Sequence, residues 1–186
     1  VVVPDANAER IGACIYDPLI TLAVVAGATT RVRLGTTVLI VPYRNPVVTA
    51  KMVSSLDALS GGRVILGIGA GWLAEESAMV GAPFAERGAM TDAHRAAMQE
   101  LWTSASPAFS GKYTQFNHLK FEPKPVQKPH PPLWVGGHAP ASLRRAAAMG
   151  AAWHPINLSV AEIETSRAEL ARLSAARNRG LPPAIT

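Results

Sequence analysis

Short apolar runs alternate with longer amphipathic stretches along this chain, and the alternation predicts strands followed by helices. Asp17-Pro18 reads as an N-cap with proline in the first turn, opening a helix through Leu19, Leu22, Val25 and Ala26 toward Thr30. The segment is apolar nearly all round, so the expectation is a well-buried helix. Arg31 to Val41, RVRLGTTVLIV, is rich in β-branched residues and closed by Pro42, which predicts a strand. Asn45-Pro46 repeats the cap signature. The helix it opens places Val48, Met52, Leu56 and Leu59 on one face, and Ser60-Gly61-Gly62 ends it. Val64 to Ile68 and Leu133 to Val135 are the next two strands.

Between those strands residues 73–131 read as an insertion. A helix from about Asp92 to Trp102 precedes a hairpin signal at Phe109 to Tyr113, and the proline-studded Glu122 to Pro132 must be extended. After Pro140 come an alanine-rich helix stopped by Gly150, a strand through Trp153, and a capping box, Ser159 to Glu162, opening an amphipathic helix that ends at Gly180. Ala184-Ile185-Thr186 reads as the start of another strand. Repeated strand–helix alternation implies a parallel sheet, either closed into a (β/α)8 barrel or open and doubly wound. Four strands and the start of a fifth are visible, against roughly 250 residues for a closed barrel. The expectation is therefore that residues 1–186 are a single-domain fragment of a barrel, with the first residues a loop leaving an earlier strand.

Two strand ends carry the candidate chemistry. Arg63 to Trp72, RVILGIGAGW, finishes in three alternating glycines where a helix should begin, and Pro132 to His138, PLWVGGH, repeats the pattern. Glycine is used where no side chain can intrude or where φ must be positive, and the C-terminal ends of parallel strands are where α/β proteins bind ligands. The pair suggests one shared site for a phosphate or an extended planar cofactor, or else glycines that tighten a strand-to-helix turn. A dinucleotide fingerprint starting at Gly67 fails, because Trp72 stands where glycine or alanine is needed and the next good strand is roughly sixty residues away, too far for a compact βαβ unit.

Composition narrows the classes. With 48% hydrophobic residues among 186 the chain can bury one large core, and its apolar runs stop well short of the ~18 residues a membrane span needs. Cys14 is the only cysteine, which rules out an internal disulfide and a thiolate metal cluster; a reducing cytoplasm fits best. The net charge of +5 is scattered rather than clustered, so no nucleic-acid partner is expected.

Read together, GTTVLIVPYRNP (Gly35 to Pro46), LDALSGGRVILGIGAGW (Leu56 to Trp72), FEPKPVQKPHPPLWVGGH (Phe121 to His138) and AAWHPI (Ala151 to Ile156) closely resemble the luciferase-like monooxygenase superfamily, the flavin- and deazaflavin-dependent TIM-barrel oxidoreductases. The blocks follow that family's order and spacing over nearly the whole chain. The resemblance implies an α/β fold, a partial (β/α)8 barrel covering strands 3 to 6 and the start of 7. It implies a non-prolyl cis peptide at Thr37-Val38, against which the cofactor ring packs. The cofactor-binding residues it implies are Thr37, Val38, Gly69, Ala70, Gly71, Trp72, Gly136, Gly137, His138 and His154. PYRNP with EPKPVQ and WVGG looks most like the branch thought to use coenzyme F420, which implies hydride transfer with a small-molecule organic substrate. An FMN-dependent monooxygenase is the alternative on the same scaffold. A second copy of the full-length parent is the implied partner. Sugar-phosphate-oxidising relatives have glutamate where Trp72 stands, so that activity is not implied, and the histidine of the second strand in many relatives would lie before Val1.

His138 and His154 fall at neighbouring strand ends, so a metal-dependent hydrolase is a second enzyme class to weigh. The other strand ends offer Thr37 and Gly69 rather than ligands, and a metal site needs three or more. His154 reads equally as a packing residue before Pro155. Arg44 can meet an anionic cofactor tail or cap a helix. Glu75 and Glu76 suit a helix first turn whatever their function, while His94, His118 and His130 read as surface residues. A non-enzymatic reading, a truncated or degenerate member serving as an interaction module, remains the alternative of another class.

Overall fold

The computed structural model describes residues 7, 14–149, 152–177 and 184–186. The element order is α1 (Pro18–Ala28), β1 (Leu34–Gly35), β2 (Leu39–Ile40), α2 (Pro46–Leu59), β3 (Val64–Gly69), α3 (Ala74–Met79), α4 (Arg87–Thr103), β4 (Phe109–Ser110), β5 (Gln115–Phe116), β6 (Leu133–Gly136), α5 (Pro140–Met149), β7 (Ala152–His154) and α6 (Val160–Ala175). The chain falls into two compact units. Residues 1–34, 40–64 and 70–131 form one; residues 35–39, 65–69 and 132–186 form the other.

The first unit is mainly helical. The Asp17 carboxylate accepts from the N–H groups of Leu19 and Ile20 at 2.9 and 3.1 Å, so α1 starts where the sequence predicts. Its burial does not follow the prediction: only Leu19 is buried, and Ile20 and Val24 are 63% and 70% exposed. Uniform hydrophobicity gives a helix no preferred side, and α2 is the helix that packs against it here. Arg63 closes the C-terminal end of α1. Its guanidinium donates to the carbonyls of Ala26, Thr29 and Val32, to Thr29 Oγ1, and back to the Ser60 carbonyl, at 2.8–3.1 Å.

Asn45 caps α2 as predicted, accepting from Val47 and Val48. The buried face, however, is Thr49, Ala50, Val53, Leu56 and Asp57, while Val48 and Leu59 are exposed. Polar groups with internal partners occupy that face and mask its periodicity: Thr49 bonds back to the Asn45 carbonyl, and fully buried Asp57 receives the Gln127 backbone N–H at 3.1 Å and its side-chain amide at 2.7 Å. Those two bonds pin the proline-rich segment, whose Glu122-Pro123 and Lys128-Pro129 bonds are cis. Across from α2 lies α4, beginning one turn earlier than predicted; Trp102 from α4 donates its indole N–H to the Ala50 carbonyl at 3.0 Å among Val53, Ala97, Met98 and Leu101.

The second unit contains a parallel sheet. β3 pairs with β6 (Leu66 opposite Leu133, Ile68 opposite Val135) and β6 with β7 (Trp134 opposite Ala152, Gly136 opposite His154). The predicted strand over Arg31 to Val41 is instead two short pieces, β1 and β2, both paired with β3. The interruption falls at Thr36 to Val38, where the Thr37-Val38 peptide is cis. Trp153 makes a parallel bridge to Ile185, as expected if a further strand begins there. Alternation then separates two faces. Leu66, Ile68, Leu133, Val135 and Trp153 are buried, with Leu143, Ala146 and Ala147 of α5 and Leu170 and Leu173 of α6 completing the core. Gly67, Gly69, Trp134, Gly136, Ala152 and His154 line the other face. The predicted capping box on α6 is present, but the helix closes at Ala175; Gly180 lies outside the described residues, as does Gly150. No described helix is long and apolar enough to cross a membrane.

Candidate functional site

The glycine face of the second unit is shaped around one side chain. A Cβ placed on Gly69 would stand 2.6 Å from Val38 Cγ2, and one on Gly136 would stand 2.7 Å from Val38 Cγ1. A Cβ on Gly67 would meet the Thr36 carbonyl oxygen at 2.0 Å and Val38 Cγ1 at 3.3 Å. Something does come close to the glycine backbone, as the sequence predicts, and in this structure it is the chain's own Val38. The glycines let that valine settle onto the sheet immediately after the cis bond, half-buried, with its methyls forming a small apolar shelf. Thr36 anchors the approach, its hydroxyl donating to the Gly67 carbonyl at 2.7 Å.

Beside the shelf stands His154. Its Cα is paired with that of Gly136, so its side chain leaves the sheet on the side Val38 occupies. The imidazole is stacked on Trp134, centroids 5.6 Å apart and planes 18° from parallel. Nδ1 lies 3.1 Å from both the carbonyl oxygen and Oγ1 of Thr186. Gly137, at φ 96°, has its N–H donated to the His154 carbonyl at 3.2 Å and its carbonyl bonded by the Trp153 indole at 2.7 Å. A side chain there would be strained by the dihedral and would press on Ser142 Oγ at 3.0 Å.

His138 sits apart from that cluster in its contacts. It is exposed and lines an open groove of about 360 Å³ with Leu158, Ala161, Glu162, Thr165 and Ser166. Hydrogen bonds from Ser159 hold the Glu162 carboxyl below the usual carboxylate range, and the charge of His138 helps.

Ala70, Gly71 and Trp72 belong to the first unit. Gly71 has φ 82°, and a Cβ there would lie 3.0 Å from the Tyr43 hydroxyl. That hydroxyl donates to the Leu73 carbonyl at 3.2 Å. Burial, with buried Glu76 hydrogen-bonded beside it, pushes Tyr43 up to about 12. The turn after β3 is therefore braced by Tyr43, and Trp72 beyond it is 55% exposed. Arg44 pairs its guanidinium with the carboxylate of Asp17, the residue that caps α1.

Three features escaped the sequence reading. His94 is 2% exposed rather than superficial, and neither ring nitrogen has a hydrogen-bond partner. It stands on the buried stripe of α4 with Thr91, Ala97, Met98 and Leu101, a spacing that the residue's polarity disguised. The Trp134–His154 stack was legible in principle, since alternation along β6 puts Trp134 on the same face as Gly136. The Tyr43–Glu76 brace was not, because nothing local links residues thirty-three positions apart. Among the described residues no group of three or more His, Cys, Asp or Glu is placed to hold a metal ion.

Residues 1–186 match, over their whole length, the family model described as luciferase-like monooxygenase. An uncharacterized protein of Mycobacterium tuberculosis is 38% identical over 145 residues, covering 77% of this chain and 50% of that protein. The FMNH(2)-dependent dimethylsulfone monooxygenase of Pseudomonas putida is 29% identical over 154 residues, covering 81% of this chain and 42% of that one. Among solved structures, the coenzyme F420 dependent tetrahydromethanopterin reductase of Methanopyrus kandleri superposes with a TM-score of 0.76 at 20% identity, covering 91% of this chain and 52% of that one. The chain thus spans about half the length of the proteins it matches.

Proposed function

The chain belongs to the luciferase-like monooxygenase family, with the fold of a partial (β/α)8 barrel, and we propose that it binds coenzyme F420 and serves hydride transfer between that cofactor and a small organic substrate. One observation supports this above the others: the Val38 shelf seated on Gly69 and Gly136, with His154 stacked on Trp134 beside it. A planar tricyclic ring needs an apolar surface with no side chain standing through it and a few polar groups at its border. Val38, Gly136, Trp134 and His154 supply that combination, so the residues present fit such a group.

When bound, a deazaflavin would supply the ring carbon that takes or gives the hydride, and it lacks the ring nitrogen that one-electron oxygen chemistry needs. The chain's own part is to hold and orient. Val38 would support the ring. The N–H of Gly137 is already taken by the His154 carbonyl. Thr37, Gly69 and His138 complete the proposed cofactor-binding set of the second unit, Ala70, Gly71 and Trp72 are the proposed cofactor-binding residues of the first, residues 73–131 are the proposed insertion, and we place the full-length parent in the cytoplasm as a homodimer.

The choice of F420 rests on the resemblance carried by PYRNP and EPKPVQKPHPP. An FMN-dependent monooxygenase is the second reading, favoured by the Pseudomonas putida relative. Titrating the protein with F420 and with FMN, following ring fluorescence and oxygen consumption, separates them. F420 binding without oxygen uptake supports the first reading; tight FMN binding with uptake dependent on reduced flavin replaces it with the second.

A further inference from the structure

We propose that His154 sets the rotation of the bound ring within its own plane, by accepting a hydrogen bond at Nε2 from the N–H on the pyrimidine edge of an oxidised flavin or deazaflavin. The inference rests on the cofactor reading above and adds a residue role to it. Nδ1 is 3.1 Å from the Thr186 carbonyl oxygen, which can only accept, so the Nδ1 position carries the hydrogen. Thr186 Oγ1 is equally close, and its own hydrogen is directed at the Trp153 carbonyl, 3.4 Å away, so it too accepts from Nδ1. In the neutral imidazole both partners fix the same tautomer, which leaves Nε2 a lone pair. Among the described residues Nε2 meets no partner.

Position and chemistry then converge. The imidazole plane is held by Trp134, and the register with Gly136 puts it on the face where Val38 forms the shelf. A ring lying on Val38 would present its edge to a group standing one strand away. The pyrimidine edge of flavin and deazaflavin alike carries one N–H donor, N3–H, between two carbonyls. An acceptor locked in one tautomer can satisfy the donor and not the carbonyls, so it selects one rotation of the ring.

The test compares FMN with N3-methyl-FMN, and F420 alongside, by fluorescence titration of the wild type, His154→Phe and His154→Gln. Phe keeps a flat ring against Trp134 without an acceptor; Gln restores an acceptor near Nε2. We expect His154→Phe to weaken FMN and F420 about tenfold and Gln to recover part of the loss, as for one net hydrogen bond. N3-methyl-FMN should bind the wild type more weakly and lose nothing further in His154→Phe. Nitrogen-15 spectra of the ligand-free protein should show Nε2 as the lone-pair nitrogen, shifting when FMN is added. Independent, additive losses from methylation and from His154→Phe overturn the role of His154 alone, as does a protonated Nε2 in the free protein. Failure of the wild type to bind either cofactor overturns the cofactor reading and this inference with it. If His154→Phe melts early, the Gln variant and the methylated probe decide the matter.

Discussion

Replacing Gly69 by alanine tests whether Val38 is seated where the structure puts it. The new Cβ would stand 2.6 Å from Val38 Cγ2, where ordinary contact begins near 3.4 Å, while Val38 Cβ at 3.7 Å is already comfortable. Relief requires the valine to swing or the strand to shift by most of an ångström, and overpacking of that kind costs about 1–3 kcal/mol. Val38→Ala removes two half-buried methyls, worth about 1 kcal/mol at ~0.8 kcal/mol per fully buried methylene. It also removes the atom that clashes. The double variant should therefore be about as stable as Val38→Ala alone, giving a coupling equal to the cost of Gly69→Ala, about 1–3 kcal/mol, in the cycle. Urea unfolding followed by circular dichroism reads this directly, provided the slope with denaturant is unchanged. Cofactor binding should fall in all three variants, since rescue of packing does not rebuild the shelf. Losses that add to within ~0.5 kcal/mol would show that Val38 does not rest on Gly69.

Arg63→Lys should lose about 2 kcal/mol in the same assay, because an ammonium cannot serve the carbonyls of Ala26, Thr29, Val32 and Ser60 together; a loss below ~0.5 kcal/mol would mean that the fork is not holding α1. His94 gives a pH signature: burial pushes its imidazole below the ordinary 6.5, only partly offset by the nearby Val41 backbone. The unfolded chain then takes up the proton first, so the contribution of neutral His94 is whole above 6.5 and is lost as pH falls from there through the folded value. Unfolding curves at several pH values should slope more steeply below 6.5 for the wild type than for His94→Leu, and identical slopes would refute the buried, neutral state.

Local signals with a short physical range were readable from the sequence. Asp17-Pro18, Asn45-Pro46 and Ser159 to Glu162 all act within a few residues, and each cap forms where expected. What sequence reading placed wrongly depended on partners far along the chain. The α2 face shifted because Asp57 is satisfied by Gln127, seventy residues away. α1 stayed exposed because apolar character names no neighbour. The glycine pattern revealed close approach but not its cause, since the atoms filling Gly69 and Gly136 come from Val38, in the break between β1 and β2 some thirty and a hundred residues earlier. The cis bond at Thr37-Val38 agrees with an expectation that came through family resemblance, not through any propensity of Thr or Val.

In a crystal structure of the protein with oxidised F420, the ring is expected to lie against the Val38 methyls with its pyrimidine N–H within hydrogen-bond distance of His154 Nε2. A ring bound elsewhere, away from Val38, would contradict this expectation.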